Sequence, residues 1–131
     1  HAPNDKLREE IMPINKKFKI QDLIQQLKYY TSVVKEPIFL EYVMLKGVND
    51  TEECAKDLVK LMAQFPSKVN LIEFNSWPGV KFEPTERKDI EKFSKYIQDK
   101  GYMSFIRRSR GDDVLAACGQ LRTESQKRKN I

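Results

Sequence analysis

The chain has 131 residues with a formal net charge of +5, and 33% of them are charged and 40% hydrophobic. This size and composition indicate one globular domain, with no apolar run long enough to cross a membrane, and we expect a cytoplasmic protein. A single histidine and two cysteines exclude a secreted disulfide scaffold and a self-contained metal site. The moderate positive charge permits an anionic partner without requiring one.

The first part of the chain predicts two helices and then a strand. Residues 5–11 suit a short helix that Pro13 stops, and residues 38–45 are nearly continuous in apolar and β-forming side chains. Such a run favours a strand covered on both faces, as in a parallel sheet flanked by helices. The second helix is predicted from an apolar stripe at helical spacing, formed by Ile20, Leu23, Ile24, Leu27 and Tyr30.

The middle of the chain alternates helix and strand. Asp50 and Glu53 resemble a capping arrangement for a helix whose apolar stripe includes Cys54, which we interpret as a core residue. A strand over 69–74 follows, then a helix that opens at 84–85 and closes at Gly101, then a strand over 102–106. This alternation predicts an α/β fold of three to four parallel strands flanked by helices. Because a closed barrel needs about eight strands, we expect the C-terminal half of a partial (β/α) barrel.

Three polar side chains lie in or just after the predicted strands. Asn75 follows the second strand, where ligands collect in parallel α/β folds, and its amide offers both a donor and an acceptor. An asparagine that only caps a turn explains the position equally well. Glu41 and Glu73 are carboxylates in apolar strands. They could receive the positive end of a cofactor or an inner lysine or arginine, but we favour structural ion pairs.

Cys118 is the candidate for covalent chemistry. It lies between small residues, Ala117 and Gly119, and follows an Arg-Gly-Asp-Asp sequence that suits a loop entering a helix N-terminus. A thiol with little bulk around it is accessible to a reaction partner, which indicates a nucleophilic or group-carrying cysteine. The alternative is a small buried cysteine that only packs.

Two basic clusters are candidates for phosphate contacts. The first contains Lys16 and Lys17, and the second contains Arg107, Arg108 and Arg110. A solvated charged face explains at least half of these residues. We divide the chain into a barrel part over 1–109 and a C-terminal segment over 110–131, which carries Cys118 and a polar, basic tail expected to be disordered.

Several blocks spread over nearly the whole chain resemble the radical S-adenosylmethionine adenine-C2 RNA methyltransferases, whose type is the RlmN family. The blocks are His1-Ala2-Pro3-Asn4-Asp5, Pro13-Ile14-Asn15-Lys16-Lys17, Glu41-Tyr42-Val43-Met44-Leu45, Val48-Asn49-Asp50, Asn70-Leu71-Ile72, Trp77-Pro78-Gly79, Arg110-Gly111-Asp112-Asp113 and Ala116-Ala117-Cys118-Gly119-Gln120-Leu121.

The resemblance implies two methyl-transfer steps. S-adenosylmethionine and a [4Fe-4S] cluster are the implied cofactors, and the product is an adenosine methylated at C2 in large-subunit rRNA or in tRNA. Cys118 matches the family cysteine that becomes S-methylcysteine. His1 matches the last residue of a cofactor-contacting Ser-Leu-His segment, and Asn75 matches a cofactor-binding asparagine.

Some family features do not occur in these 131 residues. They are the cluster-binding Cys-x-x-x-Cys-x-x-Cys, the Gly-Glu cofactor motif, the resolving cysteine and the N-terminal RNA-binding domain. Since the chain begins at His1 rather than Met, we expect a C-terminal fragment whose cluster ligands lie outside it and which is inactive without the missing N-terminal part. Its exposed sheet edges would permit dimerisation.

Two other functions compete with the enzyme fragment. A stand-alone basic α/β module could bind RNA through its arginines without any methyl chemistry. A thiol redox regulator could use Cys54 and Cys118, but the predicted burial of Cys54 disfavours it.

Overall fold

The computed structural model describes residues 1–12 and 17–108. Within them, helices and strands alternate after a pair of N-terminal helices, as the sequence predicted. In chain order the elements are α1 Asp5–Ile11, α2 Ile20–Val34, β1 Ile38–Met44, α3 Glu52–Met62, β2 Ser67–Glu73, α4 Arg87–Asp99 and β3 Ser104–Arg107.

The three strands form one parallel sheet in the order β1-β2-β3. Glu41 pairs with Asn70 and Asn70 with Phe105, so these three residues share one row across the sheet. Two residues further along each strand, another row contains Val43, Ile72 and Arg107. The predicted α/β class with helix-connected parallel strands is therefore confirmed, while the segment 110–131 lies outside the described residues.

One face of the sheet carries the core. Tyr42, Val69 and Leu71 point to this face and are at most 2% exposed. On the opposite face Phe39 and Glu41 are exposed, so the prediction of a β1 covered on both faces is wrong for the described residues. The physical reason is that the side chains of α3 and α4 pack on one face alone. The buried cluster contains Tyr42, Met44, Cys54, Ala55, Leu58, Met62, Val69, Leu71, Ile90, Phe93 and Ile97.

The buried stripe of α2 differs from the predicted one. Leu23 is 45% and Tyr30 is 52% exposed, although both were expected in the core. Ile20 and Ile24 are buried as predicted, Leu27 packs partly buried beside them, and Thr31 is buried in addition. Thr31 tolerates burial because its hydroxyl donates to the carbonyl of Leu27 at 2.9 Å. The predicted stripe is therefore confirmed at three of its five residues and wrong at Leu23 and Tyr30.

Two helices begin later than predicted. The N-cap of α3 is Thr51, whose hydroxyl accepts the backbone N–H of Cys54 at 3.2 Å, so the expected Asp50–Glu53 cap is wrong. Asp50 instead accepts a hydrogen bond from the Thr85 hydroxyl at 2.8 Å. Pro84 forms an isolated β-bridge with Leu45, and α4 starts at Arg87 with Glu86 as its N-cap rather than at 84–85.

The predicted end of α4 is confirmed. Gly101 has a φ of +92°, and its N–H donates to the carbonyl of Gln98 at 2.9 Å. The N–H of Tyr102 donates to the carbonyl of Ile97 at 3.2 Å, which completes a Schellman motif. Glycine adopts this backbone conformation without a steric penalty, and the motif leads the chain directly into β3.

Candidate functional site

Asn75 lies just beyond the carboxyl end of β2, where the following loop makes a tight turn. The N–H of Val80 donates to the carbonyl of Trp77 at 3.1 Å, and Gly79 has a φ of +86°. Proline and glycine at the two central positions indicate a type II turn. The Trp77 ring packs against Phe74 with centroids 5.7 Å apart. The loop that carries Asn75 is thereby anchored to the sheet, and Asn75 is partly exposed.

His1 lies along the free edge of β1. Its Nδ1 accepts the backbone N–H of Val43 at 3.1 Å. A ring nitrogen that accepts carries no proton, so the imidazole is neutral and its proton is on Nε2. His1 is thus fixed in place by this bond, and its ring offers one N–H donor, at Nε2. In the 131-residue chain by itself, burial and, secondarily, the Arg8 guanidinium lower the pKa of the α-amino group of His1 from 8.0 to about 6.

Asn49 attaches His1 to the sheet and was not singled out by the sequence. It is fully buried, and its Nδ2 donates to the carbonyls of His1 and Val43, both at 2.8 Å. Its Oδ1 accepts the N–H of Leu45 at 2.8 Å. The Tyr42 hydroxyl donates to the Asn49 backbone carbonyl at 2.7 Å, and burial raises the pKa of that phenol. The amide therefore joins the end of β1 to His1.

The two strand carboxylates have different partners. Glu73 forms an ion pair with Arg87 at 2.6 Å, which confirms the structural interpretation for this residue. Glu41 instead accepts a hydrogen bond from Nδ2 of Asn70 at 3.0 Å. Asn70 is its register partner on β2, so a neutral amide occupies the place where an ion pair was expected.

The predicted basic residues lie in two regions of the described chain. Arg107 ends β3 and Arg108 follows it, and both are exposed. The Arg107 guanidinium lies over the Phe105 ring at 5.7 Å. Lys17, also exposed, lies between α1 and α2, far from the arginines in sequence. Lys16, Arg110 and Cys118 lie outside the described residues.

The sheet brings three of the candidate residues to the edge formed by the carboxyl ends of its strands. His1 bonds to β1 at Val43, Arg107 occupies the same register row on β3, and Asn75 follows β2. Because the carboxyl ends of parallel strands meet at one edge, this is where a ligand of the fold is expected. The position of Asn75 after a predicted strand was therefore sufficient to locate it at this edge, whereas the same pattern did not identify Asn49.

Residues 1–12 and 17–108 contain no group of three or more His, Cys, Asp or Glu residues that could hold a metal ion. No helix in this part of the chain has the length and apolarity to span a bilayer.

The chain resembles known RNA methyltransferases over nearly all of its length. It is 48% identical to the dual-specificity RNA methyltransferase RlmN of Granulibacter bethesdensis over 132 aligned residues, covering 100% of the chain and 33% of that protein. The RlmN of Hyphomonas neptunium is 50% identical over 128 residues, covering 97% of the chain and 33% of that protein. Over nearly its whole length, the chain is therefore similar to RlmN proteins. It spans about a third of the length of these relatives and matches their C-terminal part. No family model matches it.

Solved structures place this segment in the fold of a radical SAM methyltransferase. A radical SAM methyltransferase from Sphaerobacter thermophilus superposes with a TM-score of 0.85 at 36% identity, covering 92% of the segment and 35% of that chain. A domain of pyruvate-formate lyase-activating enzyme from Bacteroides vulgatus gives a TM-score of 0.62 at 13% identity, covering 81% of the segment and 62% of that domain. This second likeness shows the fold alone. The partial-barrel prediction agrees with both.

Proposed function

We propose that this chain is the C-terminal third of an enzyme that methylates RNA by radical SAM chemistry. The observation that carries the proposal is the identity of 48–50% to RlmN proteins along 97–100% of the chain. Identity at this level over the whole length covers the strands, their connecting loops and the Cys118 segment together. The whole enzyme would work in the cytoplasm.

The proposed reaction is methylation of adenosine at C2 in large-subunit rRNA and in tRNA. Two features support this finer assignment. The relatives are named dual-specificity RNA methyltransferases. The Ala-Ala-Cys-Gly sequence around Cys118 also matches the methyl-carrier segment of the adenine-C2 enzymes.

His1 and Asn75 fit a role in holding the cofactor. When bound, S-adenosylmethionine supplies the methyl group and, together with a [4Fe-4S] cluster held by the rest of the enzyme, the radical. The neutral His1 ring donates through Nε2, since its Nδ1 is occupied by Val43. The Asn75 amide offers a donor and an acceptor at the same sheet edge. Such groups match the amino, carboxylate and hydroxyl groups of the cofactor.

Cys118 would be the methyl carrier. Its thiol would lose a proton as its sulfur accepts the methyl group. After the carbon loses a hydrogen atom and bonds to the adenine, the bond between that carbon and the Cys118 sulfur would break as the family's resolving cysteine, which does not occur in these 131 residues, forms a disulfide with Cys118. Small neighbours such as Ala117 and Gly119 suit a sulfur that must be accessible for both transfers. Arg107 and Arg108, which are exposed at the end of β3, would contact the RNA backbone, and Lys16, Lys17 and Arg110 would add phosphate contacts.

Mass spectrometry of the full-length enzyme tests the proposal. The protein is loaded with its cluster, assayed on rRNA and tRNA fragments, and digested for peptide mapping around Cys118. We expect one added methyl group on Cys118 and methylation of adenosine at C2. Cys118→Ala should abolish transfer to RNA, while the control Cys54→Ala, which alters a buried core cysteine, should keep the carrier methyl group.

An unmodified Cys118 in active enzyme would refute the carrier role. RNA binding without any methyl transfer by the cluster-loaded protein would instead favour the RNA-binding module.

A further inference from the structure

Glu41 and Asn70 form a polar pair on the open face of the sheet. They are register partners on β1 and β2, and Nδ2 of Asn70 donates to Oε1 of Glu41 at 3.0 Å. An ionised carboxylate can only accept, so the amide nitrogen must face Glu41. This fixes the amide orientation and turns Oδ1 of Asn70 away from the carboxylate.

Oδ1 of Asn70 lacks a hydrogen-bond donor. It is a buried side-chain oxygen with no partner within the described part of the chain. Buried polar atoms are nearly always paired in folded proteins, because an unpaired one loses its hydration without compensation. The unpaired oxygen therefore indicates a hydrogen-bond donor from outside the described residues.

The cations on the same face of the sheet bind elsewhere. The Lys68 ammonium lies over the Phe39 ring at 5.5 Å, and the Arg107 guanidinium lies over Phe105 at 5.7 Å. None of the ion pairs among the described residues includes Glu41. The Glu41 carboxylate is thus left without an ion-pair partner among the described residues.

We propose that Glu41 and Asn70 form an acceptor site for one cationic donor group, an ammonium or a guanidinium. Such a group balances the Glu41 charge and donates to both the second carboxylate oxygen and Oδ1 of Asn70. An ammonium has three donors and a guanidinium five, so either satisfies both oxygens. Two oxygens are too few for Mg²⁺ or Ca²⁺, which need about six or more ligands.

The donor has two sources with this chemistry. One is a lysine or arginine from the rest of the longer protein, since the chain spans about a third of its relatives. The other is the ammonium of S-adenosylmethionine, and this source alone rests on the proposed function.

The full-length enzyme tests the site with Glu41→Gln, Asn70→Leu and the double variant. Glu41→Gln removes the charge and keeps the size. The matched control is Glu53→Gln, at an 84% exposed side chain on α3. For each protein, the urea midpoint is measured without cofactor, and the Kd for S-adenosylmethionine is measured by equilibrium dialysis without turnover.

A side-chain donor predicts a lower urea midpoint for Glu41→Gln than for Glu53→Gln, with an unchanged Kd. The double variant should then lower the urea midpoint by less than the sum of the two single variants, because each single variant already weakens the contact with the same donor. A cofactor donor predicts unchanged midpoints and a Kd raised about tenfold or more. Midpoint and Kd both equal to those of the control would overturn the proposal.

A crystal structure of the unmodified full-length enzyme with S-adenosylmethionine tests the site without any variant, so the result does not depend on whether the variants fold. We expect an amine or guanidinium nitrogen within hydrogen-bonding distance of Oδ1 of Asn70, and water or an apolar group there would overturn the site. Because the midpoints and the side-chain donor need no methyl transfer, an unmodified Cys118 would refute the proposed function without refuting this site.

Discussion

Asn49→Ala should release His1 from the end of β1. The substitution removes three hydrogen bonds from a side chain that is fully buried. Two of the groups left behind are carbonyls in partly buried surroundings, those of His1 and Val43, and the third is the buried N–H of Leu45.

The loss can be estimated from these three groups. A buried N–H without a partner costs about 1–3 kcal/mol, and each partly buried hydrogen bond contributes about 0.5–1.5 kcal/mol net. Since water can reach the carbonyls near His1, we expect the free energy of unfolding to fall by about 2–5 kcal/mol in total. This is a large fraction of the stability of a domain this size.

The assay is urea unfolding of the 131-residue chain followed by far-UV circular dichroism. Gln64→Ala is the control, because it removes an exposed side-chain amide. A free energy of unfolding for Asn49→Ala within about 0.5 kcal/mol of the control would refute the role of Asn49 in joining His1 to the sheet.

Asn49→Asp adds a diagnostic pH dependence. The carboxylate can still accept from Leu45 but faces the carbonyls of His1 and Val43, so burial and these carbonyls raise its pKa in the folded state. A folded pKa above the unfolded value means that stability is greatest at low pH and is lost as pH rises through the folded pKa. The deficit relative to the unmodified chain should therefore shrink as pH falls from about 7 toward about 4.

Three further measurements test other parts of the structure. The α-amino group of His1 has its pKa lowered from 8.0 to about 6, so the folded state binds this proton less readily. The free energy of unfolding should then rise between about pH 6 and about pH 8, by at most about 2–3 kcal/mol. N-acetylation should remove that rise, and an identical slope in the acetylated chain would contradict the assignment. Gly101→Ala should cost about 1–2 kcal/mol in the same urea assay, since φ is +92° although a Cβ would meet no atom within 4 Å; an unchanged midpoint would argue against the helix end. Iron analysis of the isolated chain after cluster reconstitution should find no stoichiometric iron–sulfur cluster, and RNA assays should find no methyl transfer, whereas a stoichiometric cluster would show that the cluster ligands are within it.

The successful predictions depended on local chemistry. The order of helices and strands follows from the spacing of apolar residues, and the end of α4 follows from Gly101, whose positive φ suits a helix C-terminus. Asn75 was placed at the sheet edge because it directly follows a strand, and parallel strands end on a common edge. Each of these inferences requires only neighbouring residues and one general rule of the fold.

The incorrect predictions concerned faces and partners. Whether Leu23 or Thr31 is buried on α2 depends on which surface that helix meets, and both positions lie near the apolar stripe. Asp50 suits a helix cap as well as Thr51 does, and the hydrogen bond from Thr85, distant in sequence, decides between them. These choices are made by contacts between elements.

By itself, the sequence determined the alternating α/β class, the strand-end position of Asn75 and, through its motif blocks, the likeness to radical SAM RNA methyltransferases. The tertiary structure decided that Asn49 holds His1 and that Asn70 donates a hydrogen bond to Glu41. The physical reason is that helical and strand periodicity is encoded within a few residues. Hydrogen bonds such as Asn49 to His1, which span 48 residues, depend on how the strands and loops come together.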